Sequence, residues 1–405
     1  MDKRTVYAAI IGGGASGMMC AIRAAERHPD RQIVMIEKAD RVGKKLLVTG
    51  NGRCNLTNIS ATCEHYHGDG AKELINILFE NYNSEKVLST FRSMGLLTHA
   101  DREGRVYPLS NASSSVLDVL RRRLSELHVD ELCGAAVSRI TSTPQGYEIH
   151  TADTIIRAEK LVVAAGGRSD YAGRDSGSAD LLRMLKLETS SLSPSLSPVK
   201  SDSPVLKSLK GVRVEAEATL IQDGRPVKSE RGEVQFTASA LSGICIFNLS
   251  REANLSGGTI SLNLLPDMTA DEIAAEIRSR VSRDPGAPVS EIFTGMFHKV
   301  ISAAILKSCG VKTSLPCEHI SNKELKSIAS RCSDLRFICQ SSADFSRAQV
   351  TAGGVRLSEI SPYTFESKRR KGLYIIGEAL DVDGDCGGYN LQFAWASGMC
   401  AGDSL

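Results

Sequence analysis

A glycine-rich segment near the start of the chain has the spacing of a phosphate-binding loop. Residues 6–11 are an apolar run that predicts a β-strand. A GxGxxG pattern follows at Gly12, Gly14 and Gly17, ahead of small residues that favour a helix. Gly12 allows a tight turn, Gly14 lets the backbone approach a pyrophosphate, and Gly17 lets the helix pack closely on the sheet. The helix N-terminus would then face the anionic oxygens of a bound dinucleotide.

An acidic residue ends the second predicted strand, residues 32–36. Glu37 follows the glycine loop by about twenty residues, where a carboxylate can accept hydrogen bonds from a ribose 2′-hydroxyl. The alternative is a glycine turn that serves packing alone. The order of strand, glycine loop, helix, strand and acidic residue favours the dinucleotide site.

Two later predicted strands also end in glycine turns. Gly166 and Gly167 follow the run 160–165, and Gly377 follows the run 372–376. In an open parallel sheet, such turns lie together at the carboxyl edge, where ligands bind. The sequence therefore predicts one extended ligand site along that edge.

Polar groups after the last of these strands suit a flavin. Glu378 can accept hydrogen bonds from ribityl hydroxyls, with a role as a helix-cap or loop carboxylate as the alternative. Gly388 and Asn390 open a predicted helix whose amides can face flavin N1 and O2, where negative charge collects on reduction. A flavin dinucleotide is the ligand that this pattern favours.

These segments together resemble a family of FAD-binding flavoproteins, the aminoacetone-oxidase-like NAD(P)/FAD-dependent oxidoreductases of the two-dinucleotide-binding-fold type. The matching segments are residues 10–17 (IIGGGASG), 43–45 (GKK), 50–58 (GNGRCNLTN), 350–355 (VTAGGV), 372–378 (GLYIIGE) and 388–392 (GYNLQ). The GNGRCN and GGYN blocks are the most specific, and the order and spacing match over essentially the whole chain.

The resemblance implies FAD as the cofactor and a helical cap over the isoalloxazine. Carried onto this chain, it places Glu37 at the adenosine ribose and the backbone of Val137 at the adenine. We also expect one of Lys44 and Lys45 to contact the cofactor. The full set of expected cofactor-binding residues is Gly12, Gly14, Ala15, Ser16, Gly17, Glu37, Lys38, Lys44, Gly52, Arg53, Asn55, Thr57, Val137, Ala165, Gly166, Gly167, Gly377, Glu378, Gly388, Asn390 and Leu391.

The pattern of elements predicts an α/β fold. We expect a split Rossmann-like FAD-binding domain with a parallel sheet and a β-meander, and a β-barrel-like second domain that carries a small helical insert. The predicted boundaries are 1–190 and 346–405 for the FAD-binding domain, 191–266 and 333–345 for the β-rich substrate domain, and 267–332 for the insert. The predicted meander comprises residues 136–140, 146–150 and 154–157.

Composition narrows the class further. With 405 residues, a net charge of +2 and 24% charged residues, the chain does not require a polyanionic partner. No run of eighteen apolar residues occurs, so we expect a cytoplasmic protein without a membrane span. Eleven scattered cysteines fit free thiols in a reducing compartment. The cluster from Cys309 to Cys339 lacks the CxxC spacing of a zinc site, and we expect no metal.

Three side chains are candidates for catalysis. Cys54 lies beside Arg53, which would activate a thiolate, although a thiol packed beneath the cofactor is the alternative. Tyr107 is placed to donate a proton or orient a carbonyl, with Arg105 holding an anionic group. A turn with a half-buried ring is the alternative for Tyr107.

The leading hypothesis is an FAD-dependent oxidoreductase that transfers hydride at flavin N5 with a small-molecule substrate, by amine oxidation or enone-type reduction. No second GxGxxG follows a strand in mid-chain, so either the substrate or a transiently bound NADH or NADPH must reduce the flavin. One alternative, which the resemblance implies, is reduction of uridine to dihydrouridine in ribosomal RNA, with the basic runs 121–123 and 368–371 contacting phosphate. A further alternative is a non-catalytic flavin-binding sensor. Substrate identity and oligomeric state stay open.

Overall fold

The computed structural model describes residues 2–169 and 178–405. It divides into two compact units. The first consists of Met1–Pro194 and Phe345–Leu405, and the second of Ser195–Asp344. The predicted helical insert falls in the second unit, and so do the predicted β-rich segments apart from residues 191–194 and 345.

The strands within the described residues are β1 Asp2–Ile11, β2 Ile33–Ile36, β3 Thr57–Asn58, β4 Tyr66–His67, β5 Thr98–Ala100, β6 Arg105–Pro108, β7 Asp130–Leu132, β8 Arg139–Thr143, β9 Gly146–His150, β10 Thr154–Val163, β11 Ser193–Ser195, β12 Val199–Lys200, β13 Arg213–Gln222, β14 Arg225–Phe236, β15 Ala240–Ser242, β16 Gly258–Asn263, β17 Leu335–Cys339, β18 Val350–Ala352, β19 Leu373–Ile375 and β20 Asp383–Gly384.

The α-helices in the same ranges are α1 Ala15–Arg27, α2 Lys44–Val48, α3 Ala71–Tyr82, α4 Ser84–Ser93, α5 Ser113–Glu126, α6 Ser178–Met184, α7 Leu206–Leu209, α8 Ile244–Ser256, α9 Ala270–Arg283, α10 Lys299–Ser308, α11 Asn322–Ser333 and α12 Tyr389–Ser404. Among them, no helix is both long enough and apolar enough to cross a membrane.

A Rossmann-type parallel sheet forms the centre of the first unit, with strands in the order β7-β2-β1-β10-β19. Ile11 lies opposite both Ile36 and Val163, and Val163 lies opposite Ile375. Four strands therefore end side by side. The loops that follow them share one edge, as the sequence predicts.

Strand β10 is continuous, whereas the sequence predicts separate strands at 154–157 and 160–165. Its first half pairs antiparallel with β9 and its second half pairs parallel with β19. The side chains of its first half alternate between buried and more exposed, whereas those at its end are all buried. Because the two halves have different hydrophobic patterns, the sequence predicts two strands. The predicted meander is thus an extension of the main sheet. Val137 precedes β8 rather than lying in a strand.

Helices α1 and α12 lie close together in the first unit because glycines line their contact. A Cβ atom on Gly398 would lie 2.5 Å from the carbonyl oxygen of Ser16, and one on Gly402 would lie 2.6 Å from that of Cys20. Only glycine permits this approach. The contact fixes the N-terminus of α1 relative to the C-terminal helix.

The second unit contains an antiparallel sheet in the order β12-β15-β14-β13-β16-β17. A bridge between Ser201 and Cys339 links its two ends, so the sheet is partly closed into a barrel. Two sequence predictions are wrong here. The sequence pattern over 212–265 predicts short strands alone, but helix α8 lies within that range. The pattern over 290–307 predicts a helix, but the chain turns at Gly295, whose φ is +79°.

Candidate functional site

The glycine loop after β1 is shaped by backbone contacts that exclude a side chain. Gly12 has a φ of +110°, and a Cβ atom there would lie 2.3 Å from the Ala164 carbonyl oxygen. A Cβ atom on Gly17 would lie 2.0 Å from the Gly12 carbonyl oxygen. By contrast, Gly14 faces open space and gives α1 no side-chain cap. The first-turn amides of α1 are therefore suited to an anion such as a pyrophosphate.

Glu37 is held by backbone amides at the neighbouring strand end. Its Oε2 accepts from the Gly13 amide at 2.7 Å, and its Oε1 accepts from the Ala39 amide at 2.7 Å. The amide of Ala135 donates to the Glu37 carbonyl at 2.9 Å, which brings the segment that carries Val137 alongside. Each carboxylate oxygen keeps a lone pair that a ribose hydroxyl can use. Lys38, next in the chain, is exposed.

Glu378 lies where the turns after β10 and β19 meet. Its Oε2 accepts from Lys45 Nζ at 2.7 Å, and its Oε1 accepts from the Thr351 amide at 2.8 Å. A Cβ atom on Gly167 would lie 2.8 Å from Oε1, so the glycine turn makes room for this carboxylate. Thr351 was not among the predicted site residues, whereas Lys45 is one of the two lysines of which one was expected to contact the cofactor. Lys44 instead pairs with an exposed aspartate, Asp40, at 2.5 Å.

The GNGRCN segment is a loop with several residues in the left-handed region. Gly50, Asn51, Gly52 and Cys54 have φ values of 56°, 56°, 81° and 59°. For Asn51 and Cys54 this conformation is strained, and such strain persists only where surrounding contacts hold it. The result is an outward-facing Arg53 between residues whose backbone is fixed.

Helix α12 anchors that loop through side chains that the sequence did not single out. The Thr57 hydroxyl donates to Gln392 Oε1 at 2.7 Å, and Trp395 Nε1 donates to the Leu56 carbonyl at 3.0 Å. A Cβ atom on Gly388 would lie 2.6 Å from the Thr57 carbonyl oxygen. Thr57 is fully buried, so its hydroxyl serves the protein interior. The GYNLQ block contains Gln392 and was the only sequence signal for this anchor.

Asn55 carries an orphaned acceptor. Within the described residues its Oδ1 is buried and has no hydrogen-bond partner, and it would lie 2.8 Å from a Cβ atom on Gly388. A buried acceptor of this kind calls for a donor from a ligand. The flavin ring offers N–H groups. Together with the uncapped α1 and the carboxylate of Glu37, this orphaned oxygen shows that the residues present fit FAD.

Hydrogen bonds to the loop that precedes it hold the start of helix α12 in place. Asn390 exchanges two hydrogen bonds with Gly384, from the Gly384 amide to Oδ1 and from Nδ2 to the Gly384 carbonyl, each at 2.8 Å. The Asn390 side chain therefore fixes the loop, and the backbone amides at this helix start are left to face a ligand. Leu391 is half-buried beside it.

Cys54, the cysteine candidate, and Cys386, which directly precedes the GGYN block, are both protonated thiols at neutral pH. Burial raises the pKa of Cys54 to about 12, and the side chain is 0% exposed. Burial also raises the pKa of Cys386 to about 11. Since the thiolate is the nucleophile, both positions favour the packed-thiol alternative.

Tyr107 lies in β6, the central strand of the small sheet β3-β6-β5. Tyr107 lies opposite His99, is 4% exposed, and its hydroxyl has no hydrogen-bond partner within the described residues. Burial raises the pKa of Tyr107 above its usual value. Arg105 pairs with Asp101 at 2.7 Å and with a second carboxylate, Glu103, so its charge is compensated.

The fold and the aligned strand ends define an FAD-dependent oxidoreductase of the Rossmann type. The family model described as "HI0933-like protein Rossmann domain" matches residues 6–404. The chain belongs to this HI0933-like family. The flavoprotein class expected from the motifs is thereby confirmed, under a different family name.

Relatives over the full length are enzymes. The chain is 34% identical over 399 residues to "3-dehydro-bile acid delta(4,6)-reductase" of Clostridium scindens, covering 97% of each chain. It is 26% identical over 403 residues to "Ribosomal RNA dihydrouridine synthase" of Escherichia coli, covering 98% of each. A 3-ketosteroid-Δ4-(5α)-dehydrogenase structure from Rhodococcus jostii covers 99% of this chain and 96% of its own, at 12% identity and a TM-score of 0.48.

Proposed function

We propose that this enzyme reduces a carbon–carbon double bond conjugated to a carbonyl in a small molecule. The observation that carries the proposal is Tyr107, whose ring is buried and whose hydroxyl makes no hydrogen bond to another described residue. It adjoins the loop of the orphaned Asn55 acceptor. The amide of Leu56 in that loop donates to the Val106 carbonyl at 2.8 Å, so the loop runs alongside β6. The 34% identical relative, named as a reductase of a dehydro bile acid, supports the same reaction class.

Reduction of an enone places negative charge on the carbonyl oxygen, and a site needs a donor for that oxygen. Tyr107 is suited to this role because burial raises its pKa and keeps the phenol protonated at neutral pH. The chemistry that bound FAD in its reduced form would supply is a hydride from N5 to the β-carbon of the enone, which would leave the flavin oxidised. The α-carbon takes a proton from solvent, so the substrate gains two hydrogens. NADH or NADPH is the reductant that we propose for the next cycle.

Anaerobic rapid mixing tests the proposal. FAD-loaded enzyme, reduced beforehand with dithionite, is mixed with a 3-oxo-4-ene steroid while flavin absorbance is followed. We expect the oxidised spectrum to return and mass spectrometry to find the saturated ketone. Persistence of the reduced spectrum with enones, together with bleaching of the oxidised enzyme by aminoacetone, would establish amine oxidation instead.

Reduction of uridine in ribosomal RNA is the second candidate, because the 26% identical relative is named for that reaction. The basic runs expected to contact phosphate are engaged elsewhere. Arg121 donates to a backbone carbonyl at 2.7 Å, Arg123 pairs with Glu26 at 2.9 Å, and Arg369 pairs with Glu188 at 2.9 Å. Arg123 and Arg369 are thus paired with carboxylates, so the two runs present less free positive charge to a polyanion than the sequence suggests. Mapping dihydrouridine in ribosomal RNA from cells with and without the gene decides between the candidates.

A further inference from the structure

Arg53 differs from Lys45 and Arg105 in having no carboxylate partner among the residues that the structure describes. Lys45 pairs with Glu378, and Arg105 pairs with Asp101. Within the described residues Arg53 makes no ion pair. Its Nε donates weakly to a backbone carbonyl, that of Gly50, at 3.4 Å. The positive charge is thus exposed and uncompensated.

The direction of Arg53 is fixed by its neighbours. The guanidinium carbon lies 4.5 Å from the centroid of the Tyr107 ring, a cation–π contact. The left-handed residues Asn51 and Cys54 on either side hold the backbone in a strained shape that exposes Arg53 while Cys54 is buried. A planar guanidinium stacked on a ring keeps its N–H edge free for a bidentate anion.

We propose that Arg53 binds a carboxylate of the substrate, so that the preferred substrates are enones that carry an acidic group. This inference rests on the proposed function. It places the anion-binding group and the Tyr107 hydroxyl on one local unit, with the Tyr107 ring as the platform for Arg53. Arg105, which the sequence suggested for an anionic group, is already neutralised by Asp101 and Glu103. The resemblance placed Arg53 beside FAD, and the test separates the two roles.

The experiment compares a cyclohexenone that carries a carboxylate on its ring with the corresponding methyl ester, using FAD-loaded enzyme reduced beforehand, because the short spacing of ketone and carboxylate matches the closeness of Arg53 and Tyr107. We expect the wild-type enzyme to prefer the acid by about 10-fold to 100-fold in kcat/KM, the range of a charge-assisted hydrogen-bonded contact. Arg53→Gln should remove the preference by raising KM for the acid, with a smaller effect on the ester, which carries no charge for Arg53 to bind. Arg53→Lys restores it only in part.

Two variants serve as controls. Arg139→Gln removes an exposed arginine of β8 that makes no ion pair in the part of the chain that the structure describes, and it should leave the acid-to-ester ratio unchanged. Tyr107→Phe keeps the ring under Arg53, so we expect it to lower kcat while the ratio is retained. The FAD dissociation constant is measured for every variant by flavin fluorescence, and it should not change in Arg53→Gln.

The outcomes separate this inference from the proposed function. Equal turnover of acid and ester by the wild type, or an unchanged ratio in Arg53→Gln, overturns the carboxylate subsite while enone reduction stands. A loss of FAD affinity in Arg53→Gln that accounts for its loss of activity assigns Arg53 to the cofactor and also overturns it. Failure of both acid and ester to reoxidise the enzyme refutes the proposed function itself.

Discussion

Lys45 and Glu378 form an ion pair, Nζ to Oε2 at 2.7 Å, although 333 residues separate them in the chain. The pair joins the start of α2 to the turn after β19 at the edge where the central strands end. The Thr351 amide holds the second carboxylate oxygen. A ribityl chain lying on this edge would therefore meet a fixed carboxylate rather than a mobile one.

Removing this pair should weaken FAD binding. We expect Lys45→Met to raise the FAD dissociation constant by about tenfold, a moderate effect because the pair is partly exposed. Lys44→Met is the matched control, since Lys44 pairs with Asp40 instead, and it should change the constant by less than about twofold. Titration of the apo-protein with FAD, followed by fluorescence, measures both. Equal effects of the two substitutions would contradict the assignment.

Glu37→Ala is expected to weaken FAD binding by about 10-fold to 100-fold, because the ribose loses a charged acceptor and two backbone amides lose their partner. In enzyme saturated with FAD, the rate of enone reduction should change much less. The apo-protein should also lose about 1–3 kcal/mol of stability as the amides of Gly13 and Ala39 are left unpaired. An unchanged FAD affinity would remove Glu37 from the ribose site.

Substitutions of two glycines in the same loop should affect different properties, the stability of the fold for Gly17 and the binding of FAD for Gly14. Gly17→Ala puts a Cβ atom 2.0 Å from the Gly12 carbonyl oxygen, so we expect the apo-protein to melt at a clearly lower temperature. Gly14→Ala meets nothing within 4 Å and should leave the apo-protein melting temperature unchanged. It should nevertheless weaken FAD binding, since the methyl group occupies the approach to the α1 amides. A Gly14→Ala protein that binds FAD normally would argue against a pyrophosphate there.

The proposed role of Tyr107 as a hydrogen-bond donor predicts how the reaction rate depends on pH. Only the neutral phenol donates a hydrogen bond, and burial raises its pKa, so the active form persists to higher pH than for an exposed tyrosine. We therefore expect that deprotonation of Tyr107 does not lower the rate of enone reduction by the reduced enzyme below about pH 10. We expect Tyr107→Phe to lower kcat by about 100-fold. A limb centred near neutrality that disappears in Tyr107→Phe would contradict the assignment.

We expect the Cys54 thiol to be unreactive towards alkylating reagents and dispensable for catalysis. Burial raises its pKa to about 12, so iodoacetamide at about pH 8 should leave it unmodified. Cys63, which is only partly buried, is the control that reports an active reagent. Peptide mass mapping distinguishes the two. We also expect Cys54→Ala to keep kcat within about threefold, and a loss of two orders of magnitude would restore Cys54 as a catalytic candidate.

Local sequence patterns predicted the glycine loop and the acidic residue of the site, but they did not predict hydrogen bonds between residues far apart in the sequence. The positions of Gly12, Gly17 and Glu37 follow from strand and helix periods that short segments carry by themselves. By contrast, Thr57 and Gln392 are 335 residues apart, and no local pattern announces their hydrogen bond. The register of a parallel sheet decides such contacts, because it aligns strand ends that are far apart in sequence.

Helix α8 shows the same limit in the second unit. Cys245, Ile246 and Leu249 have the three-and-four spacing of a buried helix face, but the serines and asparagines elsewhere in the same segment also suit turns. Packing against the barrel sheet decides in favour of the helix, and that sheet is assembled from strands on both sides of it in sequence. The strand prediction therefore failed where tertiary contacts override local preference.

The central claim is that FAD lies along the aligned ends of β2, β1, β10 and β19, and the flavin content of the purified full chain tests it most directly. After titration of the apo-protein with FAD, we predict one flavin per chain, with saturable binding that Glu37→Ala weakens and Arg139→Gln does not. A colourless protein that takes up no FAD, or uptake indifferent to Glu37→Ala, would contradict the account.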